Sequence, residues 1–115
     1  MAKDSKYWKG VDLDGTLAHY DEWEGEQNIG DPIPAMMKRV KQWIAEGETV
    51  KIMTARAGTP LGVKYVKKWL AKHGLGDLEV TNVKDYHMTV LYDDRAVEVI
   101  KNTGEFGRNE RDSER

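Results

Sequence analysis

Short apolar segments of strand character alternate with longer segments of helical period, and this alternation constrains the chain more than any other feature of its 115 residues. Tyr7 to Val11 reads as a first strand. Ile33, Met36, Met37, Val40, Trp43 and Ile44 then recur at helical spacing, with Gly47 as the closing residue. Either Asp31-Pro32 or Pro34 opens that helix. Glu48 to Met53 is a second strand. Thr59-Pro60 is a capping residue followed by proline at the first helical position. Val63, Val66, Trp69 and Leu70 form the inward face of this second helix, and His73-Gly74 ends it. Leu78 to Thr81 and Thr89 to Tyr92 are two further strands, and Arg95 to Asn102 reads as a short third helix. The pattern predicts an α/β domain, with a small, mainly parallel sheet flanked by helices in three layers.

The length suits a single domain over 1–103, with a polar, charge-mixed tail over 104–115. The stretch 17–30 carries Tyr20 and Trp23 among acidic residues and glycines, and reads as a loop or small hairpin. With no cysteine, neither a disulfide framework nor a thiolate metal site can form. Four tryptophans and five tyrosines supply bulk for the core instead. No apolar run approaches the roughly 20 residues that span a bilayer, and the first ten residues lack the apolar stretch of a signal peptide. A cytoplasmic protein without membrane contact is expected. The net charge of −2 leaves no general footprint for a polyanion.

Parallel sheets place ligands beyond the carboxyl ends of their strands. The polar residues of interest fall there: Asp12 and Asp14 after the first strand, Thr54 and Arg56 after the second, Lys84 after the third, Asp93 and Asp94 after the fourth. In Val11-Asp12-Leu13-Asp14-Gly15-Thr16-Leu17, two carboxylates two positions apart can converge on a hard cation. Gly15 lets the chain turn sharply. An Asp-Gly hairpin turn is the plain alternative. A calcium loop is excluded, because its glycine would come five positions after the first Asp rather than three. Adjacent carboxylates at Asp93-Asp94 repel one another unless a cation offsets them.

In these four places the chain resembles the haloacid dehalogenase-like (HAD) phosphatase superfamily. Asp12-Leu13-Asp14-Gly15-Thr16 is similar to that family's first motif, Thr54 to its second, Lys84 to its third and Asp93-Asp94 to its fourth. The resemblance implies a Rossmann-like fold and a Mg2+-dependent phosphatase acting on phosphomonoesters. Asp12 would attack phosphorus and form an aspartyl-phosphate, and Asp14 would act as general acid and base. Mg2+ would be held by the Asp12 side chain, the Asp14 backbone carbonyl and an acid of Asp93-Asp94. Asp94 is the preferred direct ligand, and Asp93 would then pair with Lys84. Thr54, Ala55 and Lys84 would contact the phosphoryl oxygens. Arg56 would either clamp an anionic group of the substrate or form a surface salt bridge.

Two intervals, Thr16 to Thr54 and Thr54 to Lys84, are too short for an inserted cap domain, so the resemblance implies a capless member with an exposed site. Such a site takes a large phosphorylated substrate, or a small one covered by a second copy of the chain. The 17–30 loop could form a short flap, although packing of Tyr20 and Trp23 against the domain is the simpler reading. A polynucleotide-end phosphatase shares the fold, but Lys64, Lys67, Lys68 and Lys72 read as the solvated side of one helix. A binding or regulatory module without turnover is the alternative from another class. His19, His73 and His87 have no metal-ligand spacing and receive no role.

Overall fold

Within residues 6–107, which the computed structural model describes, the chain forms β1 (Trp8–Val11), α1 (Pro34–Ala45), β2 (Val50–Met53), a 3₁₀ turn (Ala55–Gly58), α2 (Pro60–Lys72), β3 (Glu79–Thr81) and β4 (Met88–Tyr92). Pro34, rather than Pro32, opens α1, following an extended Ile33. Gly47 closes it at φ 85°, in the left-handed region that a side chain disfavours. At α2 the Thr59 hydroxyl accepts from the Gly62 N–H at 3.0 Å, so one otherwise unpaired donor of the first turn is satisfied.

All four strands run parallel, in the order β3-β2-β1-β4. Register sets the layers. Val11 lies beside Ile52 and Tyr92, and Ile52 beside Val80. These side chains share one face because alternate residues of a strand point the same way. Val11, Val50 and Ile52 join Met37 and Val40 of α1 and Val66, Trp69 and Leu70 of α2 in one core. Both helices therefore cover the same face of the sheet.

The opposite face carries Trp8, Gly10, Lys51 and Met53 and, among the described residues, no helix. The expected three layers are corrected to two. The cause lies between β3 and β4, where residues 82–87 cross the sheet without room for a helix. Trp8 packs there, with Met88 and Leu91 beside it over Gly10. Its ring passes so close to Gly10 that a Cβ at residue 10 would lie 3.2 Å from it. Lys51 stacks on the indole at 4.7 Å, the indole N–H donates to Asp85 at 2.9 Å, and only 2% of the residue is exposed.

The expected helix over Arg95 to Asn102 is absent. Residues 98–107 instead fold back as a hairpin: Val99 pairs with Phe106, the Ile100 N–H donates to the Glu105 carbonyl at 2.8 Å, and the Gly107 N–H to the Glu98 carbonyl at 2.9 Å. Asn102 at φ 66° and Gly104 at φ 74° make the turn. A two-turn helix barely repays its nucleation, and β-branched Val97, Val99 and Ile100 favour extended backbone. The boundary expected at residue 104 thus falls inside a folded hairpin, and residues 108–115 of the expected tail lie outside the described part.

No helix among the described residues is long and apolar enough to cross a membrane.

Candidate active site

Backbone pairing extends β1 and β2 by one residue each, and so fixes where the next side chains stand. The Asp12 N–H donates to the Tyr92 carbonyl at 2.9 Å, and the Thr54 N–H to the Thr81 carbonyl at 2.9 Å. Asp12, Thr54, Asn82 and Asp93 consequently stand in a row at the carboxyl edge of the sheet. A cavity of about 590 Å³ opens above them, lined also by Asp14, Tyr20, Ala55, Asp94 and Arg95.

Three carboxylates converge in it. Asp12, Asp93 and Asp94 each offer an oxygen, all within 4.8 Å of one another. Two contacts join the loops that carry them. The Thr16 hydroxyl donates to Asp94 Oδ1 at 3.1 Å and accepts from the Asp94 N–H at 3.1 Å. Gly15, at φ 89°, faces the same carboxylate, and a Cβ there would lie 2.5 Å from Asp94 Oδ2. Only glycine permits this approach. The Asp-Gly pair is therefore not a hairpin turn between adjacent strands, since β1 pairs with β2 and β4 in parallel.

The crowding shows in the titration of Asp12. Its carboxyl is pushed up from 3.8 to about 7, first by burial and then by the negative charges of Asp93 and Asp94. Three acidic oxygens this close form a hard donor set that could hold a divalent cation.

Thr54 is buried at the strand end, where its hydroxyl accepts from the Arg56 N–H at 3.1 Å and caps the 3₁₀ turn. Accepting that bond leaves the hydroxyl proton available to a group in the cavity. Ala55 lines the same wall.

Arg56 fits neither sequence expectation. It is 6% exposed, so it is no surface salt bridge. Nor can it reach a substrate, because every guanidinium N–H is committed. Nε donates to Asp14 Oδ2 at 2.8 Å and Nη2 to Asp14 Oδ1 at 3.0 Å. The remaining donors bind the carbonyls of Gly25, Glu26 and Asn28. Trp23 stacks over the guanidinium at 4.7 Å. The loop is closed at its base as well, where Ala18 pairs with Pro32 and the His19 N–H donates to the Asp31 carbonyl at 2.8 Å. Trp23 accordingly packs against the domain, while Tyr20 lines the cavity. The loop expected as a short flap thus stands beside the cavity and gives Tyr20 to its wall, tied at Gly25, Glu26 and Asn28 by Arg56.

Lys84 stands apart from the other expected residues. It lines a separate depression with Asp85 and Tyr86. The neighbouring Asp85 is anchored to Trp8, and the Trp8 N–H donates to the His87 carbonyl, so the crossover has already reached the start of β1. The expected pairing of Lys84 with Asp93 is not formed. Asn82, Thr16 and Arg95, to which sequence reasoning assigns no role, do stand at the site. Asn82 and Arg95 lie within three residues of the carboxyl ends of β3 and β4, so the strand-end rule itself is the signal available for both.

Comparison with protein-family models, with curated proteins and with solved structures found no match to this chain.

Proposed function

We propose that the chain is a capless, Mg2+-dependent phosphomonoester hydrolase of the HAD-like kind, with Asp12 as nucleophile. One observation carries this reading: the carboxylates of Asp12, Asp93 and Asp94, drawn from the ends of two adjacent parallel strands, converge within 4.8 Å. Acidic side chains repel at that distance, and a hard divalent cation relieves the repulsion. Asp12, Asp93 and Asp94 would hold Mg2+, together with the Asp14 backbone carbonyl. When bound, the ion offsets negative charge on the phosphoryl oxygens and keeps the Asp12 carboxylate ionised.

The chain's own residues account for the remaining steps. An Asp12 oxygen attacks phosphorus as the bond to the ester oxygen breaks, giving an aspartyl-phosphate and an alcohol. Asp14 delivers the proton that the leaving oxygen takes up. Asp14 then removes a proton from a water molecule, whose oxygen attacks the same phosphorus and releases inorganic phosphate and free Asp12. The Thr54 hydroxyl donates to a phosphoryl oxygen. Both Asp14 oxygens accept bonds from Arg56, so one must turn toward the cavity before Asp14 can deliver a proton. That engagement is also the observation that favours a second reading, a module that binds phosphorylated ligands without turnover.

Hydrolysis of p-nitrophenyl phosphate separates the two. The parent is expected to turn over with Mg2+ and to stop in EDTA, and Asp12→Asn to lose about 10³-fold or more. Equal rates for parent and Asp12→Asn would reject the assigned nucleophile. A parent inactive toward p-nitrophenyl phosphate, sugar phosphates, nucleotides and 3′- or 5′-phosphorylated oligonucleotides would favour the binding module. Activity confined to the oligonucleotides would identify a polynucleotide-end phosphatase.

A further inference from the structure

We infer that Arg95 is the phosphate-binding cation of this site, in the role that the sequence resemblance gave to Lys84; the inference rests on the proposed phosphatase reading. A phosphomonoester dianion entering beside three carboxylates meets more negative charge than one divalent ion offsets, so a cationic side chain in the wall is required. Three basic residues are candidates by position. Arg56 has no free donor, since its five N–H groups bind Asp14 and three loop carbonyls. Lys84 opens onto a different depression.

Arg95 remains, and it is the one Lys, Arg or His among the described residues lining the cavity. Its backbone N–H donates to Asp93 Oδ1 at 2.7 Å, which roots the residue beside the acid pair. Its side chain is exposed and enters no ion pair among the described residues, so the guanidinium is free to swing over the cavity mouth. A planar fork of N–H donors matches two phosphoryl oxygens at once, which a single ammonium does not. Arg95 would therefore bind the phosphoryl group itself.

The test uses the full chain and two readouts: kcat/KM for p-nitrophenyl phosphate, and binding of inorganic phosphate in Mg2+ by isothermal titration calorimetry. Arg95→Gln is expected to lower kcat/KM and to weaken phosphate binding, each about 10- to 100-fold, as for a lost charge-assisted hydrogen bond. Arg95→Lys should recover part of the phosphate binding. Lys84→Ala should stay within about twofold of the parent in both, given that no contact to the site is lost. Unchanged phosphate binding in Arg95→Gln, or a loss in Lys84→Ala as large as that expected for Arg95→Gln, overturns the inference. If the parent binds phosphate without turning over any ester, the hydrolase reading fails, while a loss confined to Arg95→Gln still supports Arg95.

Discussion

Asp12, half-buried, and Arg56, buried, are ionisable groups of opposite sign, and the chain treats them in opposite ways. Arg56 is satisfied completely by groups of the protein, whereas Asp12 faces two more carboxylates. Because the Asp12 carboxyl titrates near 7 instead of 3.8, the folded state holds a proton that the unfolded chain has already released between those values. The metal-free protein should therefore lose stability as pH rises from about 4 to 7, and Asp12→Asn should lose less. Solvent screening of this partly exposed group limits the effect to on the order of 1–2 kcal/mol. The same proton competes with a cation, so Mg2+ should bind about tenfold more weakly at pH 6 than at pH 8. Calorimetric titration at the two pH values checks this, and equal affinities would place the ion elsewhere. The acids are legible in the sequence because carboxylates at strand ends are few. The role of Arg56 is not, because three of its partners are backbone carbonyls, which any residue supplies.

At the level of elements, the two α-helices are readable from period and punctuation. Thr59-Pro60 and Gly47 sit where caps belong, and Met37, Val40, Val66, Trp69 and Leu70 face inward as their spacing requires. The third expected helix does not form because its few apolar positions satisfy a hairpin equally well, and only the positive φ of Asn102 and Gly104 decides between them. Gly62 illustrates a further limit. Helix propensity alone would have alanine there stabilise α2 by about 1 kcal/mol. In the fold, a Cβ at residue 62 overlaps the carbonyl oxygen of Arg56, a backbone atom that cannot yield without moving the 3₁₀ turn. Gly62→Ala should thus destabilise the protein by about 1–3 kcal/mol in urea unfolding. A gain in stability would show that the turn yields easily. The variant should also weaken the site, since the same turn holds Arg56 against Asp14.

For the whole molecule, strand direction and the row of polar residues along one sheet edge follow from alternation alone. The number of layers does not. A six-residue crossover between β3 and β4 leaves one face to Trp8, and nothing in the local sequence distinguishes such a tryptophan from one buried under a helix. Trp8→Ala should cost about 3–5 kcal/mol, and for a domain of this size lower Tm by more than about 10 °C. Thermal unfolding checks this, and a shift of only a few degrees would mean that the helix-free face contributes little to the fold. The place of Lys84 is hidden for the same reason. Its distance along the chain from Asp93 suits a partner, but the short crossover carries it toward the far end of β1.

The loop over Gly25, Glu26 and Asn28 is fastened by a buried guanidinium that also grips Asp14, so one cation ties the jamb of the doorway to an acid that stands in it. Loosening that one side chain would therefore unsettle the wall of the entrance and the acid beside it together.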